Sequence, residues 1–269
     1  MRRRFMVLKG GGDIPPNNQI WYTSTDGSVI NPNNYWSSSD FGVYITSNKY
    51  SDGRGVITCG GDIAFIGDSA FYYAPGLKSI ILPNSVLTIG AESFASNGAD
   101  LIEVGLPKNL TSIGSKAFHY CSSLTEITIP NSVTSIGENA FYECSSLSKA
   151  NIPTGLTSIP KSMFIFCESL PNITIPDNIT SIGEMAFRGC KSLTEITIPS
   201  SVKSIEAYAF SRCSSLSAIY VMRSTPPTGG NYMFDDIASN AKIYVPAGSG
   251  NAYKTAQYWR NYASKIVEM

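Results

Sequence analysis

Three sets of side chains in this 269-residue chain have types and spacings that could do chemistry. Five of the six cysteines, Cys121, Cys144, Cys167, Cys190 and Cys213, recur at a pitch of 23 residues. Thiols gathered in space bind metal or form redox pairs, but zinc sites draw on close C-x2-C pairs, unlike this grid. Glu103, Glu126 and Glu195 also sit on the grid, and carboxylates on adjacent chain segments could reach the roughly 5–9 Å separations used in glycoside hydrolysis. His119 is the only histidine. Any Ser-His-Asp or Cys-His relay must therefore pass through it, beside Tyr120 and Cys121. Gly10-Gly11-Gly12 lacks the Lys-Ser/Thr ending of a phosphate-cradling loop.

The elements that position these groups are copies of one word. Aligned on phenylalanine, it falls at Phe71, Phe94, Phe118, Phe141, Phe164, Phe187 and Phe210, every 23 residues except for a 24-residue step after Phe94. The copy from Leu124 to Cys144 reads L-x-x-I-x-I-P-x-x-V-x-x-I-G-x-x-A-F-x-x-C. A period of this length marks a solenoid, in which each unit buries its apolar face only against its neighbours. Stacked coils place like residues over like, so the phenylalanines are expected to form an internal aromatic spine with offset ring faces. Proline after each strand, as at Pro130 and Pro176, ends ladder pairing because it has no N–H to donate. Glycine, as at Gly90, Gly114 and Gly137, is expected at a tight corner with unusual backbone angles.

The same stacking decides the cysteines. Coils about 4.8 Å apart bring neighbouring thiols close enough for disulfides on distance alone. Five is an odd number, however, and side chains pointing one way make poor disulfide geometry. The expectation is a ladder of buried thiols acting as small apolar groups, with Cys121 thereby removed from any partnership with His119. Cys59 lies outside the grid.

Composition narrows the rest. Twenty basic residues balance twenty acidic ones, so no overall field draws the chain to nucleic acid or an anionic membrane. The basic cluster Arg2-Arg3-Arg4 reads as a solvated terminus. No apolar run approaches the roughly 18–20 residues of a membrane span. The run Phe5-Met6-Val7-Leu8 ends at Lys9, short of the about 7–15 apolar residues of a secretory leader, so the compartment is left open by the residues themselves.

The repeated word resembles the leucine-rich repeat of BspA-like, Treponema-type bacterial proteins. The resemblance implies an α/β leucine-rich-repeat solenoid, right-handed, with a parallel sheet on the concave face and short turns or irregular segments on the convex one. It implies a flexible N-terminus over 1–19, an N-terminal cap over 20–62, about seven repeats over 63–222, and a C-terminal cap over 223–269. That cap would carry a strand near Ala241 to Pro246 and a helix from about Ala252 to Ile266, buried along Tyr253, Ala256, Trp259 and Ala263. The chain departs from the word at Ala74 and Asn97 in the cysteine column, at Ala150 in the isoleucine column, and at Pro160 and Glu206 in the glycine column.

Two surfaces are candidates for binding. Outward strand residues line the concave face, with one row containing Ser79, Glu103, Glu126, Lys149, Asn172, Glu195 and Ala218. Its neighbour contains Ile81, Gly105, Thr128, Asn151, Thr174, Thr197 and Tyr220. These read either as a solvated sheet face or as a shallow platform for a protein or glycan. The rim after each phenylalanine carries Tyr72, Tyr73, His119, Tyr120, Tyr142, Ile165 and Phe166, which read either as a packed convex shell or as an aromatic binding strip. The resemblance implies a surface or secreted protein of adhesion type with a protein or glycan partner. The sequence predicts no cofactor, no metal and no catalytic constellation. A structural part, such as a spacer or a phage-tail or surface-assembly component, is the alternative, and an enzyme of glycosidase type a second.

Overall fold

A computed structural model describes residues 14–33 and 38–269; the arginine cluster and the glycine triplet lie outside the described residues. The chain winds as a β-solenoid of about nine turns. The ring stack runs one phenylalanine past the word at its C-terminal end, to Phe234, while at the other end Phe41 meets Phe71 tilted by 37° at 6.0 Å. From Phe71 to Phe234, neighbouring ring centroids lie 5.2–5.8 Å apart with planes within 2–15°. This is the offset stacking favoured by aromatic quadrupoles. The spine, the leucine column and the inward isoleucines merge into one continuous core.

Each coil has three parts. The concave part gives strands such as Leu77–Ile81, Glu103–Gly105, Glu195–Ile198 and Ala218–Val221, paired in parallel with like residues in register. A proline turn of the same length in each of these coils follows: the carbonyls of Pro107, Pro130 and Pro176 each accept from the amide three residues on, at 3.0–3.1 Å. A second strand of two residues comes next, as in Ser112–Ile113 and Ser135–Ile136, with isoleucine inward. Glycine after it has a different cause from the expected corner. Gly114 and Gly137 have ordinary φ, but an added Cβ would stand 2.5 Å and 2.3 Å from the backbone of the preceding coil. Close approach between coils requires the glycine.

The convex part is the most regular. Around Phe118, the amides of Lys116, Phe118 and Tyr120 donate to Glu138, Ala140 and Tyr142 of the next coil. Those of Ala117, His119 and Cys121 donate to carbonyls three residues back in their own coil. Alternating the two patterns reverses the backbone every few residues, so the positions two before and two after each phenylalanine take positive φ. Lys116, Tyr120, Asn139, Glu143, Ser162 and Phe166 all lie between 54° and 59°.

The coil of Phe164 departs from this order. Pro160 stands where other coils use an amide to bond the previous isoleucine carbonyl, as Gly137 does to Ile113 at 2.8 Å. Lacking that N–H, it falls where the second sheet is divided, after Ser135–Ile136 and before Ser158–Ile159. On the concave side, pairing thins to single bridges at Glu126 and Lys149 and resumes as a sheet at Glu195. There the Asn151 amide replaces the main chain, accepting from Ile129 N at 2.7 Å and donating to Ile129 O at 2.8 Å.

Both ends of the core are closed. Antiparallel strands Gln19–Ser24, Ile45–Ser51 and Arg54–Cys59 join the concave sheet through the pairing of Trp21 with Ile81. At the other end Lys242–Val245 and Ile266–Glu268 add two parallel strands. The helix expected near 252–266 is split: an α-helix spans Gly250–Thr255 and a 3-10 segment Trp259–Lys265, with Tyr258 at φ 66° between them. The break lets Trp259 turn onto the last spine ring, 5.8 Å from Phe234, while its Nε1 donates to Pro227 O at 2.7 Å. No helix among the described residues is long and apolar enough to cross a membrane.

Candidate functional site

The cysteine grid is structural. All five thiols are fully buried and free. Each Sγ donates to the phenylalanine carbonyl one coil back, as from Cys121 to Phe94 at 3.1 Å and from Cys167 to Phe141 at 3.2 Å. The thiol therefore does more than fill space: it is a weak donor placed on a buried acceptor. Asn97, the departure in this column, does the same more strongly, donating to Phe71 O and Phe94 O at 2.7 and 2.8 Å and accepting from Ala74 N. Burial pushes the Cys121 and Cys213 thiols up to about 12, away from the thiolate that nucleophiles and metal ligands need.

His119 lies in the rim instead, its ring 4.2 Å from Tyr120 and 4.7 Å from Tyr142. Burial, and then the Lys116 ammonium, hold its pKa below the usual histidine value. Cys121 faces the core with its thiol on Phe94, so the two groups do not form a nucleophile and base. Glu126 and Lys149, on adjacent coils, make an exposed ion pair at 3.6 Å. Among the described residues, no three His, Cys, Asp or Glu side chains gather as a metal-holding group.

On the concave face, Glu126, Thr128, Lys149, Asn172, Thr174, Glu195 and Thr197 are exposed, and Glu103, Asn151 and Tyr220 are half-buried. Ser79 differs from the expected outward row: it is 6% exposed and bonded to Thr23 Oγ1 at 2.6 Å. The N-terminal strands cover it. The row through Thr128 continues past both ends of the repeats. Tyr244 follows Tyr220 in register, with rings 4.9 Å apart and 14° from parallel. At the other end Trp21 stands opposite Ile81 with the Arg54 guanidinium 4.5 Å above its ring. Tyr244 was legible, lying 24 residues after Tyr220. Trp21 was not, because antiparallel pairing of a non-repeat segment leaves no periodic trace.

On the rim, Tyr120 meets Tyr142 edge-on at 5.5 Å, and Tyr142 meets Phe166 at 6.0 Å and 89°. Tyr72, Tyr73 and Tyr120 are exposed, whereas Ile165 turns into the core at 4%. Arg188 extends the strip, its guanidinium 5.9 Å from the Phe166 ring and 5.8 Å from Tyr208. Tyr208 in turn stacks on Tyr232 at 5.2 Å. These three lay beyond the sequence reading, although Tyr208 and Tyr232 share the position two before the spine ring. A shallow hollow of about 340 Å³ beside Phe166 is lined by Glu143, Ser145 and Glu168.

Comparison with known proteins agrees with this architecture. A family profile described as BspA type leucine rich repeat region matches residues 64–170 and 157–257, with six copies. A leucine rich cell surface protein from Faecalibacterium prausnitzii is 33% identical, with a TM-score of 0.59 over 69% of this chain. The chain spans 59% of that protein's length. The leucine rich repeat protein of T. pallidum is 23% identical with a TM-score of 0.51, covering 70% of this chain and 82% of its own, and shares the fold. No curated protein sequence matches the chain. A word repeated in seven consecutive copies within a solenoid of about nine turns, and a profile matched over most of the chain's length, place the chain in the BspA-type leucine-rich-repeat family.

Proposed function

We propose that this chain is a non-enzymatic binding module of a bacterial surface protein, and that it holds an extended segment of a partner protein across the concave face. The observation that supports this reading is the outward row ending in aromatic groups on both sides, Trp21 with Arg54 at one end and Tyr220 with Tyr244 at the other. Between them Thr128, Thr174 and Thr197 present small polar side chains. Aromatic and arginine anchors around a shallow polar floor are the composition of binding hot spots. Surface placement rests on the likeness to the F. prausnitzii cell surface protein.

The experiment is a binding screen of the purified chain on immobilised extracellular-matrix proteins, followed by concave variants. Thr174→Arg and Thr197→Arg place long side chains in the floor without touching the core. Both are expected to weaken a genuine partner by about tenfold or more, the equivalent of roughly 1.4 kcal/mol, with thermal stability retained. A partner that binds these variants as tightly as the parent chain, or no partner on any surface tested, overturns the reading.

A further inference from the structure

The residue two after each spine phenylalanine turns outward with left-handed backbone. Down this column, Tyr73, Tyr120 and Phe166 occupy alternate coils, at φ 46°, 59° and 57°, with Ser96, Glu143 and Gly189 at the coils after them. The turn does not call for aromatic side chains. This region of backbone favours glycine, asparagine and aspartate, and a bulky residue there is strained. Tyr73 and Tyr120 are 68% and 42% exposed, so they gain little from the core. Phe166 packs onto Gly189, where a Cβ would stand 2.4 Å from its ring. Strained aromatic groups kept at the surface point to use at the surface.

Their spacing says what they fit. Alternate coils lie roughly 10 Å apart, twice the separation of neighbouring strands. In an extended β-linked polysaccharide successive pyranose rings turn over, so every second ring presents the same apolar C–H face at about this interval. The intervening positions suit hydroxyl groups: the hollow beside Phe166 offers the Glu143 and Glu168 carboxylates and the Ser145 hydroxyl. The charges near it balance. Lys191 pairs with Glu168 at 2.7 Å, and the Arg188 guanidinium lies 5.9 Å from the Phe166 ring, so two basic groups stand beside the two carboxylates. An electroneutral strip favours an uncharged ligand over a polyanion or a polycation. Main-chain bonds from Tyr120 N to Tyr142 O at 2.8 Å and from Phe166 N to Arg188 O at 2.7 Å fix the rise between coils, so the track is formed before the ligand arrives.

We propose that the convex rim is a carbohydrate-binding track for an uncharged, extended β-linked polysaccharide, running along the solenoid axis across Tyr73, Tyr120 and Phe166. This goes beyond the concave-face reading and stands on different residues.

The test is affinity electrophoresis of the full chain in gels containing barley β-glucan, glucomannan, dextran or heparin. Retardation by β-glucan or glucomannan is expected, equal at low and high salt because no ion pairs are involved. The Tyr120→Asn/Phe166→Asn double variant should weaken it at least about tenfold while keeping or raising Tm, because asparagine suits the left-handed backbone. The concave variant Thr197→Arg should bind polysaccharide like the parent chain, which separates failure of this site from failure of the concave one. Absence of retardation by both β-linked polymers, equal retardation by dextran, retention only on heparin, or an unaffected double variant each overturns the proposal.

Discussion

Replacing Phe141 by alanine tests whether the spine carries the fold. Its ring is fully buried, 5.3 Å from Phe118 with planes 2° apart, and 5.5 Å from Phe164 at 13°. A buried Phe→Ala change costs about 3–5 kcal/mol in lost burial and residual cavity. Within that, each stacked contact is worth about 0.5–1.5 kcal/mol. Phe141→Leu keeps most of the volume but loses both stacks, so it should cost about 1–3 kcal/mol and fall clearly between the parent chain and the alanine variant. With a urea slope of roughly 2–3 kcal/mol/M, the alanine variant should lower the midpoint by about 1–2 M. Far-UV circular dichroism reports the whole solenoid, and with Trp21 and Trp36 replaced by phenylalanine the fluorescence of Trp259 reports the closed C-terminal end, where it packs on Phe234. Because coils couple only to their neighbours, the two signals should separate in the alanine variant, the end unfolding apart from the centre. A loss below about 1 kcal/mol, or equal losses for leucine and alanine, refutes the argument that stacked rings hold the coils.

Other outcomes follow from the same structure. Burial raises Cys59 to about 11 and Cys121 and Cys213 to about 12, from an ordinary 9.0. The folded chain thus holds these protons more tightly than the unfolded one, and that stability is complete below pH 9 and lost as pH climbs through 11 to 12. Urea midpoints measured across this window should fall, and a thiol reagent at pH 8 should label no cysteine before unfolding and all six after it. Gly189→Ala forces a side chain into φ 75° and against the Phe166 ring, so it should cost about 1–3 kcal/mol by calorimetry. Asn151→Ala removes both bonds to the Ile129 main chain. Leaving partly buried peptide groups unmatched should cost about 1–3 kcal/mol in urea unfolding, while Asn172→Ala, on the exposed face, should change little.

The core was legible because it is written as a period. Phe118, Leu124, Ile127 and Cys144 each recur with their neighbours' spacing, and stacking converts that spacing into contact. What the period leaves out was not legible. Trp21 reaches the concave row through antiparallel pairing of a segment outside the repeat. Gly114 keeps its place through contact with the coil before it, which looks in sequence the same as a glycine needed for its backbone angles. The aromatic types of the rim are read directly from the chain, but its left-handed backbone alternates with a hydrogen-bond pattern that side-chain periodicity does not encode. The carbonyl partner of each thiol was hidden too, since apolar filling and weak donation select the same residue.

The Phe164 coil joins two stretches whose strand pairing is interrupted, while the amides of Phe141, Phe164 and Phe166 carry the convex ladder through it without a gap. Flexure at that coil is therefore restrained along the outer arc and freer along the inner one, like a book opening against its binding. In the concave binding role proposed above, the bowl widens or narrows around a guest of variable girth, whereas the pitch along the outside stays constant as a ruler.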